Sequence, residues 1–259
     1  MALCEEEKCM DKSETELRNG WSSYPVDVWN QQRPPDKLGD LPFWTYCAKK
    51  YGAPILDVCC GNGRISIPLA ELGFEVVGVD INADFVAAAR DRVSRLFAGG
   101  KSRKASFAVA DVVRLDLRRQ FRLAIMPDWS FQVLVTQEDQ LSFLKSLHKL
   151  LVPAGAFAFN LFIPFHRQQG LVRRDSGYEW TPSPSYHNGA PRTYDPTTQI
   201  ETLVESNVHH IELRHTTLAE LKLLFQITGF EIVEMYGDVD RRPFTGSSSD
   251  DYTIIVKAT

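Results

Sequence analysis

From Ala53 onward, short apolar runs alternate with longer stretches whose apolar residues recur every three or four positions: PILDVC, ISIPLAELG, FEVVGVD, ADFVAAARDRVSRLFAG and ASFAVAD. The short runs fit strands buried on both faces, and the longer ones fit amphipathic helices. Strand, helix, strand, helix, strand predicts a parallel sheet covered on both sides. Phe121 to Met126 continues the series as a fourth strand, Glu138 to Leu151 as a helix and Phe157 to Phe162 as a fifth strand, with Pro153 and Gly155 marking a turn between the last two. Near the end come a helix from Thr217 to Thr228 and strands from Phe230 to Met235 and Tyr252 to Val256. The link GDVDRRPFTGSSSD leaves no room for a crossover helix, so these last strands are expected to pair antiparallel.

Two segments break the alternation. Residues 163–216 are rich in Tyr, His, Pro, Arg and Thr, with short extended candidates at Leu171 to Arg174, Tyr178 to Thr181, Gln199 to Glu205 and Val208 to Arg214. They read as an antiparallel insertion over the carboxyl ends of the sheet, where open α/β folds bind ligands. At the other end, Trp21, Tyr24 and Trp29 precede Pro34 and Pro35, and Leu41, Phe43, Trp44, Cys47 and Ala48 follow at helical spacing until Gly52. These aromatics serve equally well as the core of a small N-terminal subdomain or as a lid. The expected organisation is an extension and aromatic cap over 1–52, a ligand-binding core over 53–162, a substrate lid over 163–216 and a return to the core over 217–259.

Composition narrows the class. An apolar share of 44% and a charged share of 24% exclude fibrous, collagenous and disordered readings. With 29 basic and 33 acidic residues, net charge −4, the chain lacks the basic excess that gathers phosphates. The KSRK patch at 101–104 reads as a solvated linker. Five cysteines are an odd number in a chain too long to need staples, which points to a reducing compartment. The acidic first twenty residues and the lack of a long apolar run lead to a cytoplasmic expectation, with no membrane contact.

The chemistry concentrates in ILDVCCGNGR, Ile55 to Arg64. Gly61 and Gly63 follow a buried-looking strand and precede a helix, where bare backbone can approach a ligand. A dinucleotide fingerprint fits poorly, because Cys59 and Arg64 stand where it needs glycine, and there is no P-loop lysine. Asp57 beside bare amides suits a ligand with both positive and negative groups, such as an amino-acid moiety carrying a cation. Asp80 ends the second strand, where a carboxylate accepts ribose hydroxyls. Asp111 ends the third, placed for an adenine amino group, with the Val112 amide beside it. Three successive strand-end aspartates describe one elongated nucleoside.

These residues resemble the class I S-adenosylmethionine-dependent methyltransferases. ILDVCCGNGRISIPLAELGFEVVGVDIN is similar to that family's first two motifs, AVADVVRLDL to its adenine-binding segment, and SFLKSLHKLLVPAGAFAFNLF to the helix and strand after motif four. The resemblance spans residues 38–162 and extends to FQITGFEIVEMYGD. It is closest to small-molecule methyltransferases with an aromatic cap and an insertion after strand five. Cys59 departs from the usual glycine and narrows the room beside the methionine moiety; Pro153-Ala154-Gly155 replaces Pro-Gly-Gly. The resemblance implies a Rossmann-like methyltransferase fold, a seven-stranded, mostly parallel sheet with one antiparallel strand plus the insertion.

It also implies a donor set: Asp57, Cys59, Gly61, Asn62, Gly63 and Arg64 at the methionyl end, Asp80 and Ile81 at the ribose, Asp111 and Val112 at the adenine, and Met126 at the end of the fourth strand. Acceptor-wall candidates are Tyr24, Trp29, Pro127, Asp128, Trp129, Phe131 and His166. Trp129 serves equally as an acceptor wall, an adenosine roof or packing against the cap. A general base is optional for an amine and more useful for a hydroxyl; candidates are His166, Tyr178, His187, Tyr194, His209 and His215. His209 and His210 adjoin on an expected strand, so only one can face a site.

No convergent carboxylates or closely spaced histidines suggest a metal, and none is expected. Met126-Pro127-Asp128-Trp129 does not resemble the Asn-Pro-Pro-Tyr tetrad of base-flipping enzymes. The expected function is transfer of a methyl group from S-adenosylmethionine, leaving S-adenosylhomocysteine, to a nitrogen or oxygen of a small metabolite, by a monomer or dimer. The alternatives are a non-catalytic nucleoside-binding or regulatory protein, and a protein or RNA methyltransferase.

Overall fold

A computed structural model describes residues 20–34, 39–96, 104–163, 171–174, 177–180, 192–205, 209–245 and 251–259. In chain order the helices are α1 (Val26–Gln32), α2 (Leu41–Tyr51), α3 (Ser66–Glu71), α4 (Ala83–Leu96), α5 (Gln137–Leu150) and α6 (Leu218–Thr228). The strands are β1 (Ile55–Val58), β2 (Val76–Asp80), β3 (Ala105–Val109), β4 (Phe121–Met126), β5 (Leu151–Phe162), β6 (Leu171–Arg174), β7 (Gly177–Trp180), β8 (Arg192–Asp195), β9 (Ile200–Glu205), β10 (His209–Arg214), β11 (Phe230–Tyr236) and β12 (Asp251–Ala258).

The main sheet has seven strands in the order β11-β12-β5-β4-β1-β2-β3. β1 and β2 are buried throughout, as central parallel strands must be. β12 is antiparallel to both its neighbours, which makes it the one reversed strand and confirms the expected closing hairpin. The strand order changes direction between β1 and β4, so a crevice opens at the carboxyl ends of these two strands.

Alternation along the strands divides the core into two faces. Leu56, Val58, Ala124, Met126, Phe157 and Phe159 pack under α5 and α6. Ile55, Leu123, Ile125, Ala156, Ala158 and Ile255 pack under α2, which contributes Phe43, Trp44, Cys47 and Ala48. Asp57 alternates with Leu56 and therefore lies on the α2 face. Glu234 of β11 ties α2 down: it accepts from Tyr46 Oη at 2.7 Å, Lys50 Nζ at 2.8 Å and Tyr236 Oη at 2.8 Å, and also from Tyr51 Oη. Burial opposes its ionisation, but these donors prevail and hold the carboxyl at about 2.

Two features differ from the sequence reading. β5 starts at Leu151, well before the expected Phe157, because Leu151 already pairs with Phe121. The register then jumps so that Leu123 meets Ala156, and the residues between bulge outward, with Ala154 at φ 59°. A Cβ on Gly155 would lie 2.8 Å from Val152 O, so glycine is required there. The insertion is a five-stranded antiparallel sheet, β10-β9-β8-β7-β6, and the short polar β8 within it gave no strand pattern in the sequence.

Tyr24, Phe85, Phe162, Leu203, Ile211 and Leu213 form a further cluster, joined by Trp21, Trp29 and Trp129, which brings the N-terminal segment against the insertion and the end of β5. Asn82 fastens that segment. Its Oδ1 accepts from the amides of Asp84 and Phe85 at 3.0 and 3.1 Å, capping α4, while its Nδ2 donates to the carbonyls of Trp21 and Tyr24 at 2.9 and 3.0 Å. Asn82→Ala is expected to cost on the order of 2–4 kcal/mol in a urea melt. Asn82→Asp keeps the acceptor and loses the donor, so amide exchange should accelerate in residues 20–34 while α4 stays protected.

Candidate functional site

The loop after β1 is shaped by backbone rather than side chains. Cys59, Gly61 and Gly63 have φ of 56°, 53° and 78°. A Cβ on Gly63 would come within 3.0 Å of Ile67 and Phe107, which explains the glycine. Cys59 has no such exemption, and its left-handed conformation costs about 1–2 kcal/mol. The loop is pinned by Cys60 N donating to Val79 O at 3.0 Å and by Gly61 N donating to Asp80 Oδ2 at 2.8 Å. Burial pushes both thiols up, as do Asp80 and Asp57 nearby, so Cys59 and Cys60 stay neutral.

Asp57 and Asp80 are 1% and 7% exposed. Ser66 Oγ donates to Asp57 Oδ2 at 2.6 Å, whereas Asp57 Oδ1 is buried with no partner. Burial lifts the Asp57 carboxyl to about 7, against the pull of Ser66 and Arg64. Burial also lifts Asp80 to about 6, although its oxygens accept from the Asn82 and Gly61 amides. Asn62 stands beside them, its Nδ2 donating to Asn30 Oδ1 from α1 and its own Oδ1 buried and unpartnered. Trp29, also on α1, lies over the loop: a methyl group on Gly61 would meet its Nε1 at 3.8 Å.

At the next strand end, Asp111 is half-buried and accepts from Val113 N at 3.0 Å, capping a short turn that contains Val112. Ile81, following Asp80, is half-buried. β4 ends at the fully buried Met126, and past Pro127 the chain turns through Asp128 and Trp129 at φ 58° and 59°. Two consecutive left-handed residues other than glycine store strain that only surrounding contacts can hold. Here Arg33 Nε donates to Asp128 Oδ2 at 3.0 Å, Trp129 Nε1 donates to Asp251 Oδ2 at 2.9 Å, and Ser130 Oγ donates to Pro127 O at 2.7 Å. The Trp129 ring meets Phe162 edge-on at 6.1 Å.

Several candidates are engaged within the protein. Phe131 has no exposed surface and packs on Phe143 and Phe159, so it supports the loop from the core instead of walling a site. Arg64 is committed to Asp40 through a bidentate pair at 2.6 and 2.9 Å. Tyr24, 1% exposed, packs on Trp21 and donates to Gln32 Oε1 at 3.2 Å. His215 is fully buried and shares a 2.9 Å hydrogen bond with the equally buried Glu201, with Tyr194 over its ring at 4.8 Å. Tyr178 and His209 belong to β7 and β10, but their side chains lie outside the description, as do His166 and His187 entirely. Among the described residues no three His, Cys, Asp or Glu converge to hold a cation, and no helix is long and apolar enough to cross a membrane.

The sequence reading missed Ser66, Asn82, Asn30, Asp40 and Asp251. Ser66 and Asn82 had a usable signal, each being a polar residue where a helix begins after a strand-end aspartate. The other three are joined to the site only by the fold.

Residues 55–155 match a family model described as a methyltransferase domain. A Bacillus subtilis protein named as a candidate methyltransferase, YqeM, is 33% identical over 145 residues, 56% of this chain; the chain spans about half, 51%, of that relative. The cypemycin N-terminal methyltransferase of a Streptomyces species is 26% identical over 214 residues, covering 77% of this chain and 81% of its own. A 23S rRNA (uracil(1939)-C(5))-methyltransferase of Xanthomonas oryzae pv. oryzae is 31% identical over 124 residues, 48% of this chain but 25% of its own. Among solved structures, the CcbJ methyltransferase from Streptomyces caelestis superposes with a TM-score of 0.74 at 21% identity, covering 93% of this chain and 99% of its own.

The two raised carboxyls fix a pH dependence. Both gain protons on folding, so their contribution is fully present below the unfolded carboxylate value and is lost as pH rises through about 6 for Asp80 and about 7 for Asp57. The unliganded protein should therefore melt lower at neutral than at mildly acidic pH. Asp57→Asn should flatten that slope and add on the order of 2–4 kcal/mol at neutral pH; a melting series in which the variant keeps the wild-type slope removes Asp57 as the cause.

Proposed function

Since the chain carries the fold of the class I S-adenosylmethionine-dependent methyltransferases, we propose that it transfers a methyl group from S-adenosylmethionine to a nitrogen or oxygen of a compact acceptor, a small metabolite or the amino end of a peptide. The observation that carries the donor half is the unpartnered Asp57 Oδ1 beside the glycine loop. A buried acceptor with no donor fits the ammonium of a methionyl moiety. Asn62 Oδ1 offers a second unpartnered oxygen. Each Asp80 oxygen keeps a lone pair beyond the amide it accepts from, enough for the two ribose hydroxyls. Asp111 and the Val112 amide take the adenine edge.

S-adenosylmethionine would supply a methyl carbon on a sulfonium: an acceptor lone pair would form the new bond as the carbon–sulfur bond breaks toward sulfur, and the acceptor would lose its proton to water. The protein's task is alignment and exclusion of water. Trp29 covers the glycine loop, and the strained Asp128-Trp129 turn presents an indole at the end of β4. Asp57, poised at about 7, becomes a full carboxylate as the donor cation arrives.

How far each relative extends bears on the proposed acceptor class. The rRNA methyltransferase match ends within a quarter of that protein, so it speaks for the donor half. The relative named for the N-terminus of cypemycin aligns across 77% of this chain and 81% of its own length, and this favours peptide amines as a second reading.

Incubating the chain with methyl-labelled donor and a fractionated cell extract tests the proposal: label should enter the low-molecular-weight or peptide fraction. Calorimetry showing no binding of S-adenosylmethionine or S-adenosylhomocysteine would sink it. Asp80→Ala should weaken donor binding at least about tenfold, or 1.4 kcal/mol. Donor binding near pH 6 should release a proton, visible as a buffer-dependent enthalpy, and affinity should rise with pH through about 7.

A further inference from the structure

Asn160 on β5 and Thr253 on β12 face each other across the antiparallel pair. They are 6% and 0% exposed, yet Asn160 Oδ1 and Thr253 Oγ1 have no hydrogen-bond partner. Folded chains pair nearly all such atoms, so two orphans side by side need a reason. Packing does not supply one, because Leu and Val would fill these places in an otherwise apolar row without leaving polar atoms unserved.

Their position supplies it. Asp57, Ile125, Ala158 and Ile255 form one row across β1, β4, β5 and β12. Asn160 and Thr253 are the next residues on that same face toward the carboxyl end of β5, two and three strands from Asp57, or roughly 10–15 Å. One step further stand Phe162 and Asp251, paired across the same two strands. Trp129 closes over them, its ring against Phe162 and its Nε1 on Asp251. An unserved amide oxygen and hydroxyl therefore lie beneath a carboxylate and two aromatic rings, beside the place proposed for the methionyl end.

We propose that Asn160 and Thr253 form the floor of the acceptor subsite and receive hydrogen bonds from the N–H groups of an amine-bearing acceptor. The Asp251 carboxylate and the faces of Trp129 and Phe162 favour an amine over a neutral hydroxyl. This inference rests on the methyl-transfer reading above and names the acceptor side of that same site.

The test compares the full-length protein with Thr253→Val, Thr253→Ser and Asn160→Leu in three measurements: calorimetry with S-adenosylmethionine, label transfer from that donor into whole cell extract, and thermal melting of the unliganded chain. Expected are donor dissociation constants within about twofold of the wild type, at least a tenfold loss of transfer for Thr253→Val and Asn160→Leu, and transfer retained by Thr253→Ser. Thr253→Val should melt above the wild type, by about 2–4 °C, because a buried unserved hydroxyl is gone. Wild-type transfer that survives in Thr253→Val and Asn160→Leu overturns the subsite and leaves the methyl-transfer reading intact. A wild type that binds donor and transfers nothing overturns the methyl-transfer reading. The melts decide the orphan atoms in either case, since a Thr253→Val variant that melts below the wild type shows a hydroxyl already partnered within the protein.

Discussion

The carboxylate of Asp80 is the joint on which the rest of the site depends. One oxygen receives the Gly61 amide and so fixes the loop after β1; the other receives the Asn82 amide and so fixes the turn after β2. Asn82 carries the connection onward, capping α4 with its oxygen and gripping the N-terminal segment with its nitrogen. A single buried side chain thus links two strand ends, a helix start and the segment that covers them. The link is costly, since the same burial that makes these bonds short also disfavours the charge that makes them strong.

That tension recurs at Asp57. Two carboxyls share one water-poor crevice, and Arg64, whose charge pulls on Asp57, is itself committed to Asp40, so burial still lifts both. A chain selected for stability alone would place an apolar side chain at position 57. Keeping an acid there makes sense for a crevice completed by a cationic molecule, with the electrostatic debt of the empty site cancelled on binding. Asn160 and Thr253 repeat the logic with neutral groups.

The sheet was legible because its strands are apolar runs bounded by helices of clear period, and the residues proposed to hold the donor were legible because they stand at strand ends, where sequence position and spatial position coincide. Asp57, Asp80 and Asp111 needed no knowledge of distant contacts. The contacts that close the site were hidden for the opposite reason: Arg33 meets Asp128, Asn30 meets Asn62 and Trp129 meets Asp251 across long separations. Phe131 was misplaced because an aromatic just past a strand end reads the same whether it turns inward or outward. The β5 bulge was hidden because Pro153 and Gly155 signal a turn without saying whether pairing resumes before it.

Asn82 holds the N-terminal segment by the carbonyl oxygens of Trp21 and Tyr24, not by their side chains. A main-chain grip is indifferent to which residues stand at those positions. The covering segment can therefore accumulate substitutions on the surface it turns toward a bound molecule while its anchorage stays the same, and separating attachment from recognition in this way gives one scaffold room to diverge among many acceptors.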